Sequence, residues 1–134
     1  MAKYVYPAVF TKEENHYLVN FPDIKNCYTD GESIAEAFEM AEDVLALMIY
    51  GLEERNAPIP PATDIQSISV NNSDSFVSLV PCDTFEYRKM NEKKSVKKTL
   101  SIPQWLNTMA EENGINFSQV LQKALKAELN LNNA

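Results

Sequence analysis

Three glycines serve the whole chain, Gly31, Gly51 and Gly114, so no glycine-rich loop is available to cradle a phosphate. Histidine occurs once. His16 has no second histidine and no cysteine at ligand spacing, which argues against zinc and leaves it a structural or exposed strand residue. The only cysteines are Cys27 and Cys82. Two thiols and no secretory segment fit a reducing cytoplasm, with both acting as small buried hydrophobes. Sequence alone leaves a Cys27–Cys82 bridge open. Long apolar runs are also missing. The longest, Val44 to Tyr50, is far too short to cross a membrane. The start, Met1 to Pro7, reads as a first strand and not as a signal peptide. Acid pairs such as Glu13-Glu14 and Glu53-Glu54 follow no catalytic pattern and read as solvated surface. No catalytic residue, metal or cofactor is expected.

What is present is a core-forming chain with an uneven charge. Hydrophobic residues make up 45% of the 134, enough for one modest domain and a small appended one. The net charge of −7 argues against nonspecific nucleic-acid binding by the whole surface. Residues 1–90, however, carry six basic and fifteen acidic side chains, a net of −9, whereas residues 91–134 carry six basic and four acidic, a net of +2. Between Lys93 and Ala110 there are four lysines and no acid. Two tasks with opposite electrostatic demands are implied.

The periodicities give an α+β order. Tyr4 to Thr11 is rich in aromatic and β-branched residues and reads as a strand, with Pro7 marking an edge or a local weakness. A polar turn and a second strand, His16 to Phe21, complete a hairpin. A short strand lies around Cys27-Tyr28-Thr29, ended by Asp30-Gly31. Ser33 and Glu36 have capping-box spacing at the start of a helix whose inner stripe is Ile34, Phe38, Ala41, Leu45, Met48 and Leu52. Pro58, Pro60 and Pro61 prevent its continuation. Residues 65–70 read as a loop or short strand and 75–80 as a further strand. Residues 87–94 are charged, lack apolar periodicity and read as a linker. The expected domains are therefore 1–86 and 95–134.

The tail opens on a lone strand, Val96 to Ile102, followed by Pro103 and two short helices separated by Gly114. A lone strand leaves its backbone groups unsatisfied, and a segment this small cannot bury enough apolar surface to fold alone. A second copy supplies both needs by pairing the strands into a ribbon, which makes the chain a homodimer. Alternation places Val96, Leu100 and Ile102 on one face and Lys97, Thr99 and Ser101 on the other. A two-stranded ribbon fits the DNA major groove, where lysine and hydroxyl side chains can meet base edges. Asn116 caps the last helix, and the free backbone donors at Phe117 and Ser118, with the Ser118 hydroxyl, suit a DNA phosphate. The candidate DNA-binding set is thus Lys97, Thr99, Ser101, Asn116, Phe117 and Ser118. Trp105, the only tryptophan, reads as packing beside the ribbon in preference to a stacking platform.

Two stretches resemble known proteins. Tyr6-Pro7-Ala8-Val9-Phe10, Tyr17 to Asp23, Cys27 to Gly31, the helix from Ser33 and then Ile59-Pro60-Pro61 together resemble the HicB antitoxin family. The family usually has glycine before the cysteine, where this chain has Asn26. The tail from Lys97 through Gly114 and the helix from Phe117 resembles ribbon-helix-helix repressors. The resemblance implies a partial ribonuclease-H-like first domain without catalytic acids and a ribbon-helix-helix tail. It implies a HicA-type RNA-cleaving toxin as partner, neutralised by the first domain, and an operator bound and repressed by the tail. An RNA-binding toxin is basic at its working face, so acids of the first domain would meet it; the candidates are Asp23, Asp30, Glu36, Glu39 and Glu42. The dimer would become a tetramer if the N-terminal sheets also associate. The alternative is a ribbon-helix-helix regulator whose acidic domain senses a small ligand and has no toxin.

Overall fold

Alternation along a ten-residue strand, β1 (Lys3–Lys12), sends Tyr6, Ala8 and Phe10 to one side, where all three are buried. The computed structural model describes residues 2–131. β1 pairs antiparallel with β2 (Tyr17–Asn20) on one side and with β4 (Ser75–Asp83) on the other, and β3 (Tyr28–Gly31) extends the sheet beyond β2. The order is β3-β2-β1-β4. β1 is therefore central, and Pro7 lies in its middle and not at an edge as its chemistry suggests. The register explains how. Pro7 opposes Leu79, and Val5 opposes Pro81, two places along. Both prolines sit at the phase of the ladder where no donor is needed between β1 and β4. β2 pairs with β1 only from Val9 onward, so the missing Pro7 donor is not needed there either.

One helix, α1 (Ile34–Glu54), covers this buried side. Ser33 caps it, accepting from the Glu36 amide at 3.1 Å, while Glu36 reaches back to the Glu32 amide at 3.4 Å. Its buried line is Ala37, Ala41, Leu45, Ala46 and Ile49. This is turned from the expected stripe: Phe38, Met48 and Leu52 sit at its flank and Ile34 is exposed. Small residues at 37, 41 and 46 let the helix lie close to the sheet. The closest approach is at Gly31, where a Cβ would come within 2.5 Å of the Ala37 backbone nitrogen. Phe10 anchors the core, stacked on Phe38 and Phe76 at centroid distances of 4.4 and 5.1 Å. Cys27 and Cys82 are free and buried. Burial raises both thiols, Cys27 to about 11 and Cys82 to about 12, so each stays protonated and inert near neutral pH.

Residues 55–74 return the chain to β4 with a single 3₁₀ turn at Ile65–Ser67 where the sequence left a loop or strand. The larger correction is α2 (Thr84–Asn91), which replaces the first part of the expected linker over 87–94. Its stabilisation is polar and therefore invisible to apolar periodicity. Asp83 caps it through the amides of Phe85 and Glu86 at 3.0 and 3.2 Å. Tyr87 meets the Tyr50 ring at 5.1 Å, and Arg88 bonds Glu54 and, at 3.1 Å, Glu53. Glu53 is likewise no surface acid. Its side chain is 10% exposed and also accepts from the Tyr4 hydroxyl at 3.0 Å and the Thr84 hydroxyl at 2.9 Å. Burial alone would raise this carboxyl, but bonds from Thr84, Arg88 and Tyr4 outweigh it and hold the group below its usual range. Glu53 thus fastens β1, α1 and α2 together.

The chain divides into two compact units between Lys94 and Ser95. The second contains α3 (Gln104–Glu112) and α4 (Phe117–Glu128). Pro103 takes the cap position of α3, one place before the first helical residue, where its chemistry suggested the first helical position itself. Gly114 turns the chain between the helices at φ +63°. Residues 95–103 are in neither helix nor strand and pair with no strand of their own chain.

Candidate partner and nucleic-acid surfaces

The five acids singled out in the first unit do not converge. Asp23 is engaged in fastening the loop after α1, accepting from the Thr63 amide at 2.9 Å and from the Thr63 hydroxyl. Asp30 stands on β3, on the sheet face away from α1, since its neighbours Thr29 and Gly31 are the ones turned inward. Glu36 belongs to the cap of α1. Only Glu39 and Glu42 share a surface. They line a shallow groove between α1, the end of β4 and α2, together with Asp43, Asp83 and Glu86. The groove has an apolar floor that includes Ala46, Pro81, Tyr87 and Met90, with Met90 71% exposed. Sequence reasoning missed Asp83 and Glu86 because it read no helix after β4, and it left Asp43, on α1, among the solvated residues of the polar face. The aspartate at position 83, three residues before Glu86, was the available sign of a helix start.

The tail presents a different surface. Not one of its described residues is buried. Leu100, Ile102, Leu106, Met109, Phe117, Val120 and Leu125 are all between 42% and 65% exposed, and Trp105 is 65% exposed. Several of them converge. Lys98, Leu100 and Ile102 from the irregular segment face Phe117, Val120, Leu121 and Ala124 of α4 across a groove of about 470 Å³. Lys97, Thr99 and Ser101, which alternate with these three residues, do not line the groove and are exposed, as is Val96. At the start of α4 the Asn116 side chain accepts from the Gln119 amide at 3.1 Å, so its oxygen is committed to capping. Phe117 and Ser118, the first two residues of α4, both line the groove.

No group of three or more His, Cys, Asp or Glu residues capable of holding a metal occurs among the described residues. Among them, too, no helix is long and apolar enough to cross a membrane.

Comparison with known proteins gives a consistent result. The model of the HicB-like antitoxin of bacterial toxin–antitoxin systems matches residues 6–125. The antitoxin HicB of Escherichia coli strain K12 is 35% identical over 75 residues, covering 55% of this chain and 51% of that protein. The chain thus matches about half the length of this curated relative. Among solved structures, a toxin–antitoxin complex from Streptococcus pneumoniae contains a chain 33% identical, with a TM-score of 0.61, covering 94% of this chain and 99% of that one. A chain of the HicA3 and HicB3 toxin–antitoxin complex is 25% identical, with a TM-score of 0.51, over 60% of this chain and 99% of that one.

Proposed function

The chain belongs to the HicB-like antitoxins of bacterial toxin–antitoxin systems, and we propose that it neutralises a HicA-type RNA-cleaving toxin with its first unit and represses its own operon with its second. The observation that carries this division is the contrast between the units. The first has its own core and an acidic surface. The second has exposed apolar side chains, an unpaired segment carrying Lys97 and Lys98, and no acid before Glu111.

The electrostatics support the first task. A protein that grips RNA is basic where it does so, and a −9 surface speeds encounter and favours that face. The acidic groove along α1 is the part of the unit where five carboxylates stand beside exposed apolar area, the mixture expected at a protein interface. On this reading the sheet with its single covering helix is a partial ribonuclease-H-like scaffold without that fold's chemistry, and the chain acts by covering the toxin.

Pairing of two tails completes the second task. Residues 96–102 from two copies form a ribbon, Leu100 and Ile102 close onto α4, and the groove between them fills. Lys97, Thr99 and Ser101 then project from the opposite face toward base edges, and the amides at the start of α4 reach a phosphate. Lys97→Ala tests this directly. Operator affinity in a gel shift at fixed salt should fall by roughly 5- to 150-fold, the loss of about 1–3 kcal/mol for one base-edge contact. Toxin neutralisation should be unaffected. Unchanged operator affinity would remove that face from the DNA interface.

A further inference from the structure

β4 forms one edge of the sheet, since β1 is its only strand partner among the described residues. The phase of that pairing is fixed at both ends. The Thr84 amide donates to the Ala2 carbonyl at 3.0 Å, and the Lys12 amide to the Asp74 carbonyl at 2.9 Å. Residues 76, 78, 80 and 82 therefore bond inward to β1, and residues 75, 77, 79, 81 and 83 turn their backbone groups outward. The Ser75 amide is taken up by the Asn72 carbonyl at 3.1 Å, and Pro81 has no donor. The Val77 and Leu79 amides have no acceptor among the described residues. The Leu79 carbonyl accepts from the neighbouring Ser78 hydroxyl at 3.3 Å. The turn Ile65–Ser67 lies beside β4 but gives it no backbone bond. Edges of this kind are commonly kept short or blocked by charge. This one runs from Ser75 to Val80 without a charged residue, and Leu79 is 49% exposed. The opposite edge, β3, has four residues and carries Asp30.

We propose that β4 is a docking edge for an extended strand of the toxin, which continues the sheet while its basic side chains reach the acids of the neighbouring groove. The inference rests on the toxin-neutralising reading for the identity of the partner. Charge selects that occupant. The groove lined by Glu39, Glu42 and Asp43 opens onto the end of β4 at Pro81, Cys82 and Asp83. A strand added outside β4 lies about 5 Å from it, so side chains on its α1 side stand next to those carboxylates. Lysine or arginine there is attracted, while the backbone bonds to Val77 and Leu79 supply affinity. A second copy of β4 would instead bring a second row of acids to the same place, and like charges so juxtaposed oppose the contact. Edge and groove together favour a basic strand over another copy of this chain.

Leu79→Pro tests the edge in the full-length chain. Position 79 needs no donor toward β1, where it faces Pro7, and Pro81 already occupies the same phase two places on. The ring therefore removes the outward amide and spares the ladder. Leu79→Thr keeps the amide on a strand-forming residue. In surface plasmon resonance with a purified HicA-type toxin, Leu79→Pro should bind roughly 10- to 100-fold more weakly, for a lost backbone bond and the partner group left unpaired. The loss should appear in the dissociation rate and persist at high salt, unlike an effect of the groove's charges. Leu79→Thr should bind nearly as the wild type. Equal loss in both variants would assign the effect to the side chain and overturn the inference. Amide exchange of the wild type, followed by NMR, reads the same edge without a substitution, should the proline disturb folding. The Val77 and Leu79 amides should exchange rapidly in the free chain and become protected in the complex. A complex in which they still exchange freely would overturn the inference and leave neutralisation standing. A wild-type chain that captures no toxin would overturn the neutralisation reading and the inference with it. Protection already present in the free chain, fading on dilution, would give the edge to a second copy and overturn the inference alone.

Discussion

Leu100→Asp should abolish dimerisation of the tail and, with it, operator binding. Leu100 is 65% exposed in the single chain, so an aspartate there has little to disturb before assembly. In the proposed ribbon the same position would close onto α4, and the symmetry would introduce two carboxylates at once. A buried carboxylate without a partner costs several kcal/mol, and each 1.4 kcal/mol is a factor of ten in affinity. Dissociation of tail-paired dimers should therefore rise by at least about 100-fold. Sedimentation at several concentrations measures this, and a gel shift on the same samples should show no retarded operator. Thermal unfolding of the first unit should stay where it is, because its core lies wholly within residues 1–94. A variant that retained the wild-type mass would place the dimer seam elsewhere.

Glu39→Lys/Glu42→Lys/Asp43→Lys should weaken toxin binding by roughly 10- to 100-fold at low salt. Single exposed ion pairs contribute only about 0.2–1 kcal/mol, so no one of these acids is expected to dominate. Reversing three together replaces attraction by repulsion over one side of α1, and the main effect should fall on the association rate. The defect should narrow as salt is raised toward the molar range, where the Debye length shrinks to about 3 Å. Surface plasmon resonance with the toxin immobilised gives both rate constants. Glu13→Lys/Glu14→Lys/Asp74→Lys, in the exposed turns after β1 and before β4, makes the same change of charge away from the groove and should bind nearly as the wild type. Equal loss in the two variants would reduce the role of the groove to net charge alone.

The parts of the molecule legible in the sequence are those governed by short-range rules. Alternation located β1, β2 and the core of β4, and the Ser33 cap fixed the start of α1. Asn116 and Gly114 likewise showed where the tail helices begin and end. What escaped depends on contacts between distant residues. α2 has no apolar stripe of its own and is stabilised by Asp83, by Tyr50 and by Glu53 and Glu54 on another helix. Glu53 looked like surface because nothing local reveals that Tyr4, Thr84 and Arg88 converge on it. The centrality of Pro7 depended on the register of β4, nearly seventy residues further on. The acidic surface was legible as a charge imbalance but not as a place. Of five acids singled out, two line the groove; of the three others that line it, Asp83 and Glu86 begin α2, which the sequence concealed, and Asp43 stands on α1 beside Glu42.

Titration of toxin activity tests the central claim most directly. A HicA-type toxin is expressed and purified, and its RNA cleavage is followed as the full-length chain is added. The account predicts that cleavage stops as the two proteins reach equimolar amounts, that the pair co-elutes, and that Lys97→Ala leaves this inhibition intact. Cleavage that continues in excess of the chain, with no co-elution, would contradict it.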